Sequence, residues 1–336
     1  MSSNLWSLGQ TPWIHREPRP PRARVIIDND FAGDPDDLFQ LTHHLLSPSV
    51  EIPLVVCSHL REGDPFAPAD SAEGAENVVR SVFDVMHLRD DGQIVRGSRH
   101  ALSSRTEPQR SPAAEAIVRE AMRGDTDLPL FGVFGGGLTE LASAWLMEPK
   151  IAQRMIVVWI GGPEYDGLGW PPPGPASTEY NLAIDITAAQ VVFNDSDLVL
   201  WQVPRNIYRQ CLVSDAELRH RVQATGSLGS FLYEALDKVR LNFDLHGDKF
   251  SETYALGDSP LVLLTSLMSI FQPDTSSSDF VMRPCPMLDD QGATQLTVDG
   301  RSIRVYTRLD VRLMFEDMFL KIAEFDEWLA QESSQS

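Results

Sequence analysis

Short apolar segments alternate with longer amphipathic segments along most of the chain. The first apolar segment, residues 24–30 with the sequence RVIIDND, is rich in β-branched residues and ends in polar ones, which is typical of a buried parallel strand. Asp34 and Pro35 follow at positions that favour a helix N-terminus, and the amphipathic segment 38–46 comes next. Strands that alternate with helices of this length predict βαβ units. Further strands are predicted at 51–58, 93–97, 128–135, 154–162 and 197–203, and further helices at 69–86, 112–122, 138–147, 187–193 and 311–329.

The predicted fold is an α/β domain with a doubly wound, mostly parallel sheet that is flanked by helices and has a helical insertion. We expect a single domain at 24–331, preceded by an arm at 1–23 that is rich in proline and arginine and followed by a tail at 332–336. The Gly/Pro-rich segment 163–178 is long enough to be a functional loop. Ligands of doubly wound sheets bind at the carboxyl ends of the strands, so the functional site is expected at that edge.

The charge of the chain argues against several classes of partner. A net charge of −20 and a pI near 4.7 argue against binding to nucleic acid or to anionic membrane surfaces. We expect no membrane span, because no apolar segment reaches about 18 residues, and no secretory signal, because the N-terminal segment has no continuous apolar stretch. Three widely separated cysteines show neither metal-finger spacing nor a disulfide framework, so we expect reduced thiols in a cytoplasmic protein.

An aspartate cluster lies at the junction of the first strand and the first helix. Within IIDNDFAGDPDDL the aspartates are Asp28, Asp30, Asp34, Asp36 and Asp37. Carboxylates this close raise one another's pKa unless a cation neutralises them, and ligand sets made only of oxygen select calcium or magnesium. Two other interpretations remain open. One is an acidic turn in which one residue caps the helix and the others are solvated, and the other is a phosphoryl-transfer site with Asp28 or Asp30 as nucleophile.

The cluster resembles the signature of the inosine-uridine-preferring nucleoside hydrolase family, in which Asp-x-Asp and then Asp-Asp follow an N-terminal strand. The interval between the second aspartate and the Asp-Asp pair is longer here by two residues than the usual family spacing. Five further segments resemble the family's sequence blocks in the family's order, and the resemblance covers roughly residues 24–270. These segments are GSRHAL, FGGGLTELASAW, VVWIGG, TEYNLAIDITAAQVVF and GDSPL.

The resemblance implies a calcium-dependent enzyme that hydrolyses the N-glycosidic bond of a ribonucleoside or related riboside. Its Ca²⁺ ligands would be Asp30, Asp37, the backbone carbonyl of Gly135 and Asp258, and Asp30 would also be the general base for the attacking water. The partner would be a small molecule, and the family suggests a homo-oligomer. Two alternatives remain: a metal-dependent ribose-binding or nucleoside-binding protein without turnover, and an aspartate-based phosphohydrolase.

Residues that would contact the substrate come from several predicted elements. The resemblance implies that Glu179 and Asn181 hold ribose hydroxyls. Asp36 is expected to accept a hydrogen bond from a ribose hydroxyl. His59 follows the second predicted strand and is a candidate for a contact in the crevice.

The leaving-group acid is where this chain departs from the family pattern. Family members that cleave purine nucleosides often have a histidine immediately before the last aspartate, and this chain has Gly257 there. His246, in the polar segment DLHGDKF, is the remaining candidate acid. Trp170 in the Pro-rich loop either stacks on a base or pins the loop. His43 and His44 lie within the first predicted helix and are expected to be structural.

Overall fold

The structure is a computed structural model that describes residues 5–14, 19–64, 67–174, 177–245, 251–269 and 277–335. Its strands are β1 (Ala23–Asn29), β2 (Val50–Cys57), β3 (Ile94–Arg96), β4 (Leu130–Phe134), β5 (Met155–Ile160), β6 (Val199–Val203), β7 (Leu212–Ser214), β8 (Thr253–Ala255), β9 (Asp279–Pro284), β10 (Met287–Leu288), β11 (Thr294–Gln295) and β12 (Ser302–Arg308).

The α-helices alternate with these strands. They are α1 (Asp36–Leu45), α2 (Ser71–Val85), α3 (Pro112–Ala121), α4 (Thr139–Met147), α5 (Tyr180–Ile184), α6 (Ile186–Gln190), α7 (Arg205–Tyr208), α8 (Asp215–Glu217), α9 (Ser227–Leu245), α10 (Pro260–Leu263) and α11 (Val311–Gln335). A 3₁₀ turn at Pro149–Gln153 and π-helical turns at Val191–Asp195 and Leu218–Gln223 complete the helical segments. No helix of the described residues is both long and apolar enough to cross a bilayer.

Eight strands form the central sheet, in the order β3-β2-β1-β4-β5-β6-β12-β9. Neighbouring strands are parallel except at one edge, where β9 runs antiparallel to β12. Two short antiparallel pairs, β7 with β8 and β10 with β11, lie outside the sheet. The predicted doubly wound, mostly parallel sheet flanked by helices is therefore confirmed.

Strand β1 shows why this sheet needs helices on both faces. All seven of its residues are buried. Val25 and Ile27 belong to one hydrophobic core, and Ile26 belongs to a second core on the opposite face, as the alternation of side chains along a strand requires. A strand buried on both faces has a nearly continuous apolar sequence, and that is the pattern from which β1 was predicted.

The order of the strands reverses at β1. From β1 the chain passes through α1 to β2 and then to β3 at one edge, after which α3 returns it to β4 on the other side of β1. Such a switch point opens a crevice at the carboxyl ends of the two strands involved, where open α/β sheets bind their ligands. The residues that follow β1 and β4 therefore face one another across this crevice.

The chain termini pack more closely than the sequence indicates. Trp6 and Trp13 are buried against Phe325 of α11, and the Trp6 indole donates a hydrogen bond to the Met86 carbonyl at 2.7 Å. Helix α11 extends to Gln335, beyond the predicted end of this helix at 329. The division into an arm at 1–23, a domain at 24–331 and a tail at 332–336 stays a prediction.

Candidate active site

Close packing at the ends of β1 and β4 brings the aspartate cluster against a run of glycines. The Gly135 amide donates to the Asp28 carbonyl at 3.0 Å, which continues the pairing of the two strands. A Cβ at Gly135 would collide with the side chains of Asn29 and Asp258, and a Cβ at Gly136 would lie 2.7 Å from an Asp30 oxygen. Only glycine lets the backbone approach these carboxylates so closely.

Asp258 reaches the cluster from a distant part of the chain. Its Oδ2 accepts a hydrogen bond from Asn29 Nδ2 at 2.6 Å, and its backbone N–H donates to Asp36 Oδ2 at 3.2 Å. The Asn29 side chain also accepts from the backbone N–H of Asp30 at 3.0 Å. One amide side chain at the end of β1 thus joins the segment before α10 to the loop before α1.

The side chain of Asp28, the first aspartate of the cluster, has a hydrogen-bond partner within the protein. It is buried, and its Oδ1 accepts a hydrogen bond from the Ser58 hydroxyl. Asp34 lies at the exposed rim of the loop, where Tyr254 donates to its Oδ1 at 2.7 Å. The sequence left the roles of these two residues open. Each accepts a hydrogen bond from a hydroxyl group of another segment, and Asp28 Oδ2 is buried without a partner among the described residues.

Asp37 is different, because neither of its carboxylate oxygens has a partner among the described residues. The residue is 2% exposed in the first turn of α1, and both oxygens are buried without a hydrogen bond. An unpaired buried carboxylate is costly unless it is protonated or binds a cation. The fold therefore places at this point a group whose natural complement is a positive ion.

Electrostatics within the cluster follow from burial and crowding. Burial raises the pKa of Asp30 to about 7, and repulsion from Asp34 and Asp64 adds to the increase. Burial also raises the pKa of Asp37 and Asp258 well above the usual range, with Asp30 as the largest source of repulsion for both. A divalent cation would offset both effects at once.

The residues present fit a hard divalent cation by their chemistry. Asp30, Asp37 and Asp258 supply only oxygen, and the unpartnered oxygens of Asp37 are what a cation would satisfy. The Gly135 carbonyl accepts a hydrogen bond from Asn181 Nδ2 at 2.5 Å, which leaves it a second lone pair. Within the described ranges no three carboxylate, imidazole or thiolate groups already form a metal-binding arrangement.

A cavity of about 620 Å³ opens over this cluster, and its size suits a small organic ligand. Five of the predicted site residues line it, whereas Asp37, Glu179 and His59 do not. Its described lining comprises Asp30, Ala32, Gly33, Asp34, Asp36, Asp64, Gly135, Ile160, Tyr180, Asn181, Tyr208, Lys238, Val239, Ala255, Gly257 and Asp258.

Glu179 and Asn181 lie at the start of α5, and of the two only Asn181 lines the cavity. Glu179 caps this helix, and its Oε2 accepts from the backbone N–H groups of Gly162 at 2.8 Å and Leu182 at 2.9 Å. Its Oε1 accepts from the Tyr208 hydroxyl at 2.6 Å. Asn181 lines the cavity and donates to the carbonyl of Gly135. The ribose contacts implied for both residues stay predictions, and the structure adds a capping role for Glu179.

The two candidate histidines have different outcomes. His59 is 3% exposed, and its ring nitrogens lie 2.9 Å from the Leu60 carbonyl and 3.0 Å from the Thr139 hydroxyl. Its predicted contact with the substrate stays untested, but both ring nitrogens already have protein partners. His246 lies outside the described residues. Trp170 is 87% exposed in the loop.

Sequence reasoning missed several residues that line the cavity. Tyr180, Tyr208, Asp64 and Lys238 come from four separate segments. Tyr180 donates to Asp64 at 2.9 Å. For Tyr180 a signal was available, since it lies between the predicted ribose residues in TEYNL. The other three have no local pattern that distinguishes them from surface or core residues.

Comparison with known proteins agrees with this geometry. The family model described as inosine-uridine preferring nucleoside hydrolase matches residues 25–312. Proteins named inosine-uridine preferring nucleoside hydrolase from Crithidia fasciculata and Leishmania major are 32% and 31% identical to the chain over 106 and 124 residues. Those matches cover 30% and 35% of this chain and 31% and 36% of the relatives, so the chain spans about a third of the length of these curated proteins.

A solved structure extends the likeness to the whole fold. A plant nucleoside hydrolase aligns with a TM-score of 0.69 at 16% identity, over 90% of this chain and 99% of that one. At this identity the alignment shows a shared fold and no more. The family model, in contrast, matches most of the sequence. The resemblance seen in the sequence is therefore confirmed, and the chain belongs to the inosine-uridine preferring nucleoside hydrolase family.

Proposed function

We propose that this protein hydrolyses the N-glycosidic bond of a ribonucleoside or a related riboside, with Ca²⁺ as its cofactor. The observation on which the proposal depends is Asp37, a buried carboxylate whose two oxygens have no partner among the described residues and which is repelled by Asp30 and Asp258 of the cavity lining. An all-oxygen site of this kind favours calcium or magnesium over softer metals. Membership of the family supports the reaction class.

The proposed ligands of the cation are Asp30, Asp37, Asp258 and the carbonyl of Gly135. When bound, the cation would orient ribose hydroxyls and lower the pKa of a water molecule near the reacting carbon. Asp36 lines the cavity beside Asp258 and would accept a hydrogen bond from a ribose hydroxyl. Asn181, which also lines the cavity, would bind a second ribose hydroxyl.

Asp30 is the proposed general base. Its carboxylate lines the cavity, and the cation would offset the burial that raises the pKa of this group in the metal-free protein, so the carboxylate would be ionised and able to accept a proton. The water oxygen bonds to C1′ of the ribose while the bond from C1′ to the base nitrogen breaks, and the proton of the water passes to Asp30. The electron pair of the broken bond leaves with the base, through an oxocarbenium-like transition state.

A second candidate function is a metal-dependent ribose-binding protein that has lost turnover. Gly257 favours it, because a glycine at this position brings no acid for the departing base. We also propose a homo-oligomer, by analogy with the family. A cytoplasmic location is supported by the free and buried state of Cys57, Cys211 and Cys285.

Release of free ribose from a panel of purine and pyrimidine ribonucleosides tests the proposal, with EDTA-treated and Ca²⁺-restored protein in parallel. Release that EDTA abolishes and Ca²⁺ restores is the expected result. Binding of the same nucleosides is measured by calorimetry in both preparations. Metal-dependent binding without release would replace hydrolysis by the binding function. If the protein neither binds these nucleosides nor releases ribose from them, both candidate functions are wrong.

A further inference from the structure

We propose that Lys238 binds the leaving base and stabilises the negative charge that develops on it. This inference rests on the proposed hydrolase function. Gly257 has no side chain that could assist the departure of the base, and we assign that role to Lys238. Lys238 is an exposed residue of α9 that lines the cavity, and of the described lining residues it alone carries a positive charge.

The cavity has an acidic floor, and one of its walls combines apolar residues with a lysine. The floor contains Asp30 and Asp258, which are 7% and 5% exposed and belong to the proposed cation site. The wall formed by α9 and β8 contains Lys238, Val239 and Ala255. In our proposal the ribose lies on the carboxylates of the floor and the base lies against this wall, which combines apolar atoms with one ammonium group.

The two neighbouring cations of α9, Arg240 and Lys238, differ in whether they have partners within the protein. Arg240 pairs with Asp215 and lies over the Tyr254 ring at 5.7 Å from its centroid, so its charge is used within the protein. For Lys238 the described residues provide no ion pair or hydrogen bond, although the cavity is rich in carboxylates. Its three N–H donors remain available to a ligand.

The chemistry of the reaction explains why such a group is needed. As the bond to C1′ breaks, its electron pair moves onto the ring nitrogen of the base, and the charge spreads to the carbonyl oxygens and other nitrogens of the ring. An ammonium group beside these oxygen and nitrogen atoms of the base stabilises the anion by its charge and by hydrogen bonds. The base leaves paired with Lys238 and takes up a proton from water, while Asp30 releases the proton it received.

Comparison of two substrates tests this role in the full-length protein with Ca²⁺. Lys238→Met is expected to lower kcat for ribose release from a nucleoside by about 100-fold, the usual size of a leaving-group effect. For 4-nitrophenyl riboside, whose phenolate is stable in water without help, the same variant should lose less than about threefold. Lys238→Arg, which keeps the charge, should recover at least a third of the lost nucleoside activity on a logarithmic scale.

Lys150→Met is the matched control, since Lys150 is an exposed lysine outside the cavity. An equal loss on both substrates in Lys238→Met would overturn the proposal in favour of a structural role. Unchanged nucleoside turnover would overturn it as well, while leaving the hydrolase function intact. If the unmodified protein releases ribose from neither substrate, the proposed function fails first, and that outcome is distinct from the other two.

Discussion

The two halves of helix α1 use buried ionisable side chains in opposite ways. At its N-terminal end Asp37 is buried in the crevice, and neither carboxylate oxygen has a hydrogen bond from the described residues. At its C-terminal end His43 and His44 are fully buried, yet each has a partner: His43 Nε2 lies 2.7 Å from Asp317 and His44 Nε2 lies 2.9 Å from Thr265.

We interpret this difference as that between structural groups and a proposed ligand-binding group. Burial lowers the pKa of His43 to about 4, so the ring is neutral at physiological pH; its Nε2 contacts Asp317, and its Nδ1 has no partner among the described residues. Burial raises the pKa of Asp37 instead, and no donor from the protein compensates for it. In one ten-residue helix, the histidines contact neighbouring segments, whereas the aspartate has no partner among the described residues and is our proposed cation ligand.

Removal of the Asp37 charge is the change with the largest expected effect. Asp37→Asn keeps the shape but removes the charge, so affinity for Ca²⁺ should fall by more than about 100-fold, since even an outer-shell partner of a metal ligand is worth up to that much. Ribose release should fall at least as far. The thermal midpoint of the metal-free protein should stay unchanged or rise, because repulsion within the cluster decreases.

Calorimetric titration with Ca²⁺ and thermal denaturation in EDTA measure the two effects. Asp91→Asn, at an exposed aspartate far from the cluster in sequence, is the matched control and should alter neither quantity. Unchanged Ca²⁺ affinity in Asp37→Asn would show that the assignment of the cation site is wrong.

How far the sequence predicts this contrast depends on the range of the interactions. The apolar run of β1 and the aspartates at its end are local signals, and they predicted both the strand and the acidic crevice. The periodicity of α1 placed its histidines in a helix, and their expected structural role agrees with their contacts. No local pattern shows which aspartate lacks a partner, because that depends on what Asp258 and Asn29 do from other elements.

For the remaining site residues, too, local sequence patterns do not reveal the contacts that form between distant segments. Asp258 was expected only through the family resemblance, since nothing in GDSPL by itself indicates contact with Asn29. Glu179 was expected to hold ribose, and its capping of α5 is a local function that the family pattern does not reveal. Lys238 appears as one more lysine on an amphipathic helix until the fold places it at the cavity.

A second prediction concerns the partnered half of α1. Asp317→Ala removes the acceptor shared by His43 and Lys321, whose Nζ lies 2.6 Å from the carboxylate. We expect the free energy of unfolding to fall by about 2 kcal/mol, the size expected for a lost hydrogen bond to a charged group. Chemical denaturation measures it, with Glu327→Ala on the exposed side of α11 as control. Ca²⁺ affinity should not change, and a loss of affinity would contradict the separation of the two halves.

The third prediction concerns the dependence of stability on pH in EDTA. The folded-state pKa of Asp30 is raised to about 7, whereas an unfolded aspartate has a pKa of about 4. The folded state therefore binds this proton more tightly, and its contribution to stability is complete below about pH 4 and is lost as the pH rises to about 7. His43 has the opposite sign, because its pKa is lowered to about 4 and its contribution is lost as the pH falls through that value.

These opposing slopes partly cancel between about pH 4 and 6.5, so the informative quantity is the stability of the unmodified protein minus that of Asp30→Asn. We expect this difference to fall as the pH rises from about 4.5 to 7, by at most about 1.4 kcal/mol per pH unit, and to be constant above pH 7. Saturating Ca²⁺ should increase this difference at pH 7.5, because the cation binds the unmodified protein more tightly than the variant that lacks one of its four proposed ligands. A difference that stays flat from pH 4.5 to 8 in EDTA would mean that burial does not raise the pKa of Asp30, and the argument for a cation at the aspartate cluster would then depend on the unpartnered carboxylate of Asp37.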